Sequence, residues 1–178
     1  MSRATLLSVL MVTAALLWIA TAPPVQAHNR SQSYSTWNVA GNTVDLLFTV
    51  KAREVTRLPP LEGDLLTLEA LLASHLAETI RVSSVDGSHC AAAAKPQALA
   101  AAEGYLRMRV IFDCGAATVS DLQIDSFFTV ASSHVHYARI QIDDQVPAEF
   151  LFTDSRREHS VTAGGGRLDG LYSGFLQY

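Results

Sequence analysis

Basic residues are scarce in this chain of 178 residues: 13 Lys and Arg stand against 17 Asp and Glu, for a formal net charge of −4. No basic cluster appears, which argues against nucleic acid as a partner. There is no Gly-x-Ser-x-Gly elbow, and none of the many serines sits in a strand–turn–helix context, so no nucleophilic enzyme is indicated. Gly164-Gly165-Gly166 has no strand leading in and no capped helix following, so it reads as a flexible linker and not as a phosphate cradle. No internal repeat is visible. The longest apolar run, Leu6 to Ala20, spans 15 residues and is too short for a comfortable membrane crossing. Only two cysteines occur, Cys90 and Cys114.

The apolar run belongs to a targeting segment. Met1-Ser2-Arg3 forms a short positive start, Pro23-Pro24 breaks any helix, and Val25-Gln26-Ala27 supplies the small residues that a signal peptidase reads. Residues 1–27 are therefore expected to be a secretory signal peptide, the alternative being an uncleaved N-terminal anchor. Removing it takes Arg3 and shifts the net charge from −4 to −5. Much of the 49% hydrophobic content sits in the leader and in the alanine tract, so that figure overstates the core. The remaining length suits one domain. Export places Cys90 and Cys114 in an oxidising compartment, where a disulfide is expected and two separate buried thiols are the alternative. Such a bond would restrict the unfolded chain by roughly 3 kcal/mol.

The mature chain reads as strands. Ser33 to Trp37 alternates polar and aromatic residues, Asn38 to Asn42 is turn-like, and Val44, Leu46, Phe48 and Val50 alternate with polar residues, which together predict a hairpin. Arg53 to Leu58 is expected to extend the second strand to Pro59-Pro60. Leu65, Leu68, Leu72, Leu76 and Thr79 predict one helix with Asp64 as its cap and His75 packed near the apolar face. Ile80 to Val85 is a β-branched run, and Tyr105 to Asp113 is its candidate partner strand, with a loop or frayed helical turn between the cysteines. Val119 to Val130, His134 to Ile140 and Val146 to Phe152 are further strands, the last starting late or lying at an edge because of Pro147. About seven short strands with one helix favour a mainly β fold, an antiparallel two-sheet, Ig-like sandwich with one short helix and one disulfide. The expected division is signal peptide 1–27, extracytoplasmic β domain 28–163, and a Gly-rich linker with an apolar, juxtamembrane-like tail over 164–178.

Three histidines are candidate metal ligands. His134 and His136 stand at i and i+2 on a strand, so both rings project to one face and can approach one ion. His28, the first mature residue, can chelate copper through its α-amine and ring. A third ligand would come from His28, His159, Asp154 or Glu158. The competing reading of His134 and His136 is two exposed polar positions on an edge strand. Glu54 and the Asp143-Asp144 pair are candidate carboxylates, although paired acids in turns are usually solvated.

His28 through Trp37, the Val44 to Leu58 run with Arg53-Glu54-Val55-Thr56-Arg57-Leu58, the Cys90–Cys114 pair and the closing Gly170 to Tyr178 segment resemble the exported N-terminal region of HupE/UreJ-type membrane proteins. In that family a signal peptide and an extracytoplasmic β domain precede several transmembrane helices. The resemblance implies a non-enzymatic domain in the periplasm or on the outer face of the inner membrane, linked to nickel or cobalt uptake or to hydrogenase and urease maturation. It also implies a membrane-embedded partner and membrane contact through the C-terminal tail. The helices that carry the family's metal-handling His and Asp residues are absent here, so no metal ligand is carried over. The alternative expectation is an exported copper- or nickel-binding protein using His28 with His134 and His136.

Overall fold

The computed structural model describes residues 31–60 and 67–161. The expected signal peptide, His28, Asp64, Leu65 and the 164–178 linker and tail lie outside the described residues.

The hairpin forms as its alternation requires. Strand β1 (Gln32–Ala40) and strand β2 (Thr43–Lys51) pair antiparallel from Ser33↔Val50 to Ala40↔Thr43. Their turn needs one left-handed residue, and Gly41 supplies it at φ 58. On β2 every apolar residue of the Val44, Leu46, Phe48, Val50 set is buried.

The chain then departs from the expected strand extension. Ala52–Val55 is a short helix, α1, and its turn continues through hydrogen bonds from the Arg57 and Leu58 amides. An extended chain would put Val55 on one face with Arg53 and Arg57. A helical turn puts Glu54, Val55 and Leu58 together on the buried side and leaves Arg53 and Arg57 outside. The second helix, α2 (Leu68–Thr79), is capped by Thr67, whose hydroxyl accepts from the Ala70 amide at 3.2 Å, and not by Asp64. Leu72 and Leu76 are its buried residues, as their spacing predicts.

Strand β3 (Ile80–Ser84) does not pair with the strand expected for it. It joins β7 (Val119–Ile124), which also takes β10 (Glu158–Ser160), to make a three-stranded sheet. The segment between the cysteines is neither loop nor helix throughout. Two short strands, β4 (Ala91–Ala92) and β5 (Gln97–Leu99), lie along the edge of β6 (Tyr105–Asp113) and satisfy its backbone groups there. The expected Val119 to Val130 strand is shorter than predicted: it stops at Ile124, and Phe127 and Phe128 lie in the following loop, Phe127 at φ 67.

With β8 (Val135–Ile142) and β9 (Ala148–Phe152), the larger sheet runs β4-β6-β2-β1-β8-β9, with β5 also on β6. Pro147 precedes β9, which starts late and lies at the sheet edge. All named pairs are antiparallel except one: β1 and β8 run parallel, with Ser33 opposite His136. The two sheets form the expected sandwich-like, mainly β architecture, with helices α1 and α2 added. Their inner faces share one core that includes Trp37, Phe48, Met108, Leu122, Ile140 and Phe152.

The disulfide is present. Cys90 and Cys114 are bonded with their Cα atoms 4.3 Å apart and a sequence separation of 24. The Cys90 amide donates to Val82 of the small sheet at 2.8 Å, while the next residue, Ala91, pairs with Asp113 of the large one. The bond therefore sits where the chain crosses from one sheet to the other.

A buried serine–histidine ladder as the candidate functional site

Ser31, just before β1, and Ser33, Ser35 and Trp37 along it alternate and all turn inward, while Tyr34 faces solvent. On β8 and just before it, His134 and His136 also turn inward. The parallel register sets Ser33 beside His136, and the Val135 amide donates to the Ser31 carbonyl at 3.1 Å, so serines and histidines interleave. An antiparallel pairing of the same residues would run the two series in opposite directions.

The result is a continuous line of hydrogen bonds. The Trp37 indole N–H donates to Ser35 Oγ at 2.7 Å. Ser35 Oγ lies 2.6 Å from His136 Nε2, and His136 Nδ1 lies 2.6 Å from Ser33 Oγ. Ser33 Oγ lies 2.8 Å from His134 Nε2, and His134 Nδ1 lies 2.7 Å from Ser31 Oγ. Ser31 donates to Glu54 Oε2 at 2.6 Å, and Arg57 Nη1 donates to the same oxygen at 2.9 Å.

The two ends decide where every proton sits. Indole nitrogen is only a donor, and an ionised carboxylate is only an acceptor. Ser31 gives its hydrogen to Glu54, so its oxygen receives the N–H of His134 Nδ1. His134 Nε2 then takes the hydrogen of Ser33, whose oxygen receives the N–H of His136 Nδ1. His136 Nε2 takes the hydrogen of Ser35, whose oxygen receives Trp37. Both imidazoles are neutral Nδ1–H tautomers, and the six donors point one way along the line. No buried side-chain nitrogen or oxygen is left without a partner among the described residues.

Aromatic rings close around the histidines. Phe48 stacks on His136 at 5.1 Å between centroids, and Phe152 tilts against it at 5.8 Å. Phe127 stacks on His134 at 5.3 Å and Phe128 meets it edge-on at 5.5 Å. Phe127 is held in turn by α2: its amide donates to His75 Nε2 at 3.2 Å, and the His75 ring meets it edge-on. His75 is thus a packing residue, as its place on the helix suggested.

The electrostatics follow from this enclosure. Burial pushes His134 down from 6.5 to about 4, with the Arg57 charge adding to the effect and Glu54 opposing it. Burial pushes His136 to about 3, helped by its neighbour His134. Burial alone would raise the Glu54 carboxyl, but the hydrogen bonds from Ser31 and Arg57 and the charges of Arg57 and Arg53 outweigh it and hold it below the ordinary carboxylate range.

Two chemistries can be weighed against this geometry. Ser33 donates to a histidine base that leans through Ser31 on a carboxylate, an order that resembles an activated nucleophile. Yet Ser33 is 0% exposed and its oxygen already receives the His136 N–H, so no substrate carbonyl reaches it. For a metal, all four ring nitrogens of His134 and His136 are engaged with serines, and an ion would have to displace them. The expectation that these histidines are exposed on an edge strand is corrected, since β8 lies between β1 and β9 and both rings are buried. Of the expected third ligands His28 lies outside the described residues, and the structure does not bring the other three to them. His159 packs on Phe150 at 4.4 Å, Asp154 pairs with Arg157, and Glu158 stands opposite Gln123. Among the described residues no group of three His, Cys, Asp or Glu side chains is placed to hold a metal ion.

Asp143 and Asp144 form the turn after β8, where Asp143 Oδ1 accepts from the Gly41 amide at 3.1 Å and lines a groove of about 350 Å³ with Asn38, Val39, Ala40 and Gln141. Sequence reasoning missed Ser31, Ser33, Ser35, Trp37 and Glu54 as partners of the histidines. The signal was the shared two-residue spacing of Ser31-x-Ser33-x-Ser35-x-Trp37 and His134-x-His136, but only the parallel register shows that the two series meet. Among the described residues, no helix is long and apolar enough to cross a membrane. A comparison with protein-family models finds no match for this chain, and neither does a comparison with curated proteins.

Proposed function

We propose that this chain is a non-catalytic, exported β domain that works beside a membrane-embedded partner, in the manner of the soluble part of HupE/UreJ-type proteins, in nickel or cobalt uptake or in hydrogenase or urease maturation. The observation that carries the non-catalytic reading is the sealed ladder: the two serines that donate to a histidine base, Ser33 and Ser35, are both buried, and the buried polar side chains there are spent on one another. The Cys90–Cys114 bond supports residence in an oxidising compartment. The resemblance of His28 to Trp37, Val44 to Leu58 and Gly170 to Tyr178 to the exported region of that family supports the choice of partner.

The reading is tested in two steps. A phosphatase that is active only after export, fused after Val161, is expected to be active with residues 1–27 in place and inactive without them. In the organism that encodes the chain, its deletion is expected to lower hydrogenase or urease activity at limiting nickel, with recovery in excess nickel. Full activity of the deletion strain at limiting nickel would remove the metal-uptake role while leaving the export result standing.

A further inference from the structure

The serine–histidine ladder lies on the β1–β8 seam, the one parallel pairing of the large sheet, and that seam joins the β4-β6-β2-β1 half to the β8-β9 half. We propose that the ladder is an acid-operated clasp: protons entering at its Glu54 end reverse it, and the β1–β8 seam opens there before the rest of the fold does.

The argument is one of donors and acceptors. The ladder at neutral pH has a place for every hydrogen. A proton added to His134 occupies Nε2, which until then received the Ser33 hydroxyl. Ser33 must turn its hydrogen to His136 Nδ1, and His136 must move its own proton to Nε2. Ser35 then faces two donors, His136 and Trp37, and its hydroxyl hydrogen has lost its acceptor inside the core. A second proton, on His136, sets two N–H donors against Ser33 as well and places two like charges on neighbouring rungs. The line therefore accepts no proton without stranding a buried hydroxyl, and the misfit accumulates along β1.

Exposed charge meets the ladder at its Glu54 end. Glu54 is buried, but the guanidinium groups of Arg53 and Arg57 that hold it are about half exposed, at 51% and 48%. The groups facing the histidines from other elements carry no competing base. Phe48 on β2, Phe127 and Phe128 in the loop, and Phe152 on β9 are uncharged. His75 on α2 stands one ring away, behind Phe127, and His159 on β10 stands two rings away, behind Phe150 and Phe152. Glu54, with its two arginines, is the charged group in hydrogen-bonded contact with the line. Opening uncovers the aromatic rings now packed on the histidines, so the clasp would couple acidity to the exposure of an apolar surface.

Amide exchange on the intact disulfide-bonded protein tests this, followed between pH 7 and 4 together with the ring-nitrogen resonances of His134 and His136. The Val135 amide, bonded to Ser31, reports the seam, and the Cys90 amide, bonded to Val82, reports the sheet junction. The expected result is that Val135 loses protection with the same midpoint as the His134 ring while Cys90 stays protected. Glu54→Gln should lower that midpoint by about one pH unit, because the neighbouring negative charge that favours the proton is gone, and His75→Gln should leave it unmoved. The proposal is overturned if Val135 and Cys90 lose protection together, if Val135 outlasts the ring titration, or if His75→Gln moves the midpoint as far as Glu54→Gln does. Should Glu54→Gln fail to fold, the coincidence of the Val135 and His134 midpoints in the unsubstituted protein decides alone.

Discussion

Trp37 and Glu54 stand at opposite ends of one line of hydrogen bonds and between them set the tautomer of every ring along it. Trp37 contributes a nitrogen that can only donate, Glu54 an oxygen that can only accept, and Ser35, His136, Ser33, His134 and Ser31 fall into one direction between them. Nitrogen-15 spectra of the histidine rings at pH 7 should show both as neutral Nδ1–H forms.

Removing the middle rung should be costly. Ser33→Ala leaves the His134 Nε2 acceptor and the His136 Nδ1–H donor without partners in a buried, ring-lined space. Each orphaned group costs about 1–3 kcal/mol, so a loss of about 2–4 kcal/mol is expected in urea unfolding at pH 7. A loss below about 0.5 kcal/mol would mean that water replaces the hydroxyl and that the ladder is not dry.

Stability should fall in mild acid. Both histidines are depressed in the folded protein, His134 to about 4 and His136 to about 3, against 6.5 for a free side chain. The unfolded chain therefore binds protons that the folded one refuses, so this contribution is complete above pH 6.5 and is lost as pH drops toward 4 and 3. The expected loss between pH 7 and 5 is on the order of 2 kcal/mol for each ring. His75 and His159 are depressed as well, chiefly by burial, and add in the same direction. Glu54 is held low and adds its own loss at more acid pH, as its carboxylate takes a proton. Urea midpoints measured at steps between pH 7 and 4.5 check the slope; a flat profile would show the rings to be hydrated.

Breaking the disulfide should weaken the domain without dismantling it. Cys90→Ala with Cys114→Ala frees a loop with a sequence separation of 24, for a loss of about 3 kcal/mol. Far-ultraviolet circular dichroism should keep its β signature, because β4 and β5 retain their backbone pairing to β6.

Copper(II) offers a check on the histidines as ligands. Its paramagnetism broadens whatever it binds. At pH 7 the ring signals of His134 and His136 are expected to persist while those of exposed His89 and of His28 at a mature N-terminus broaden. Early broadening of the His134 and His136 signals would restore them as metal ligands.

Much of the fold was legible because it rests on local alternation. The Val44, Leu46, Phe48, Val50 series, the Gly41 turn and the late start of β9 after Pro147 all appear where their residue types require them. The helical turn at Ala52–Val55 was not legible, because Arg53 to Leu58 fits a strand until Glu54 is known to have a buried partner. The site was half legible. The spacing of His134 and His136 shows a shared face, but not that the face is internal or that serines await them. That knowledge lives in the parallel register between residues about one hundred positions apart, which no local pattern encodes.

The same register has a consequence for the order in which the chain can assemble. Hairpin β1–β2 has everything it needs once Lys51 has been made, whereas the partners of its serines arrive only with β8, at Val135–Ile142. For most of synthesis β1 carries an open edge, and Ser31, Ser33 and Ser35 lack the histidines they bond in the finished fold. Closure of the large sheet is a late, long-range event, of the kind that slows folding and leaves strand edges open to wrong partners in the meantime. Substitutions in the ladder should therefore reduce the yield of folded protein more than its measured stability suggests.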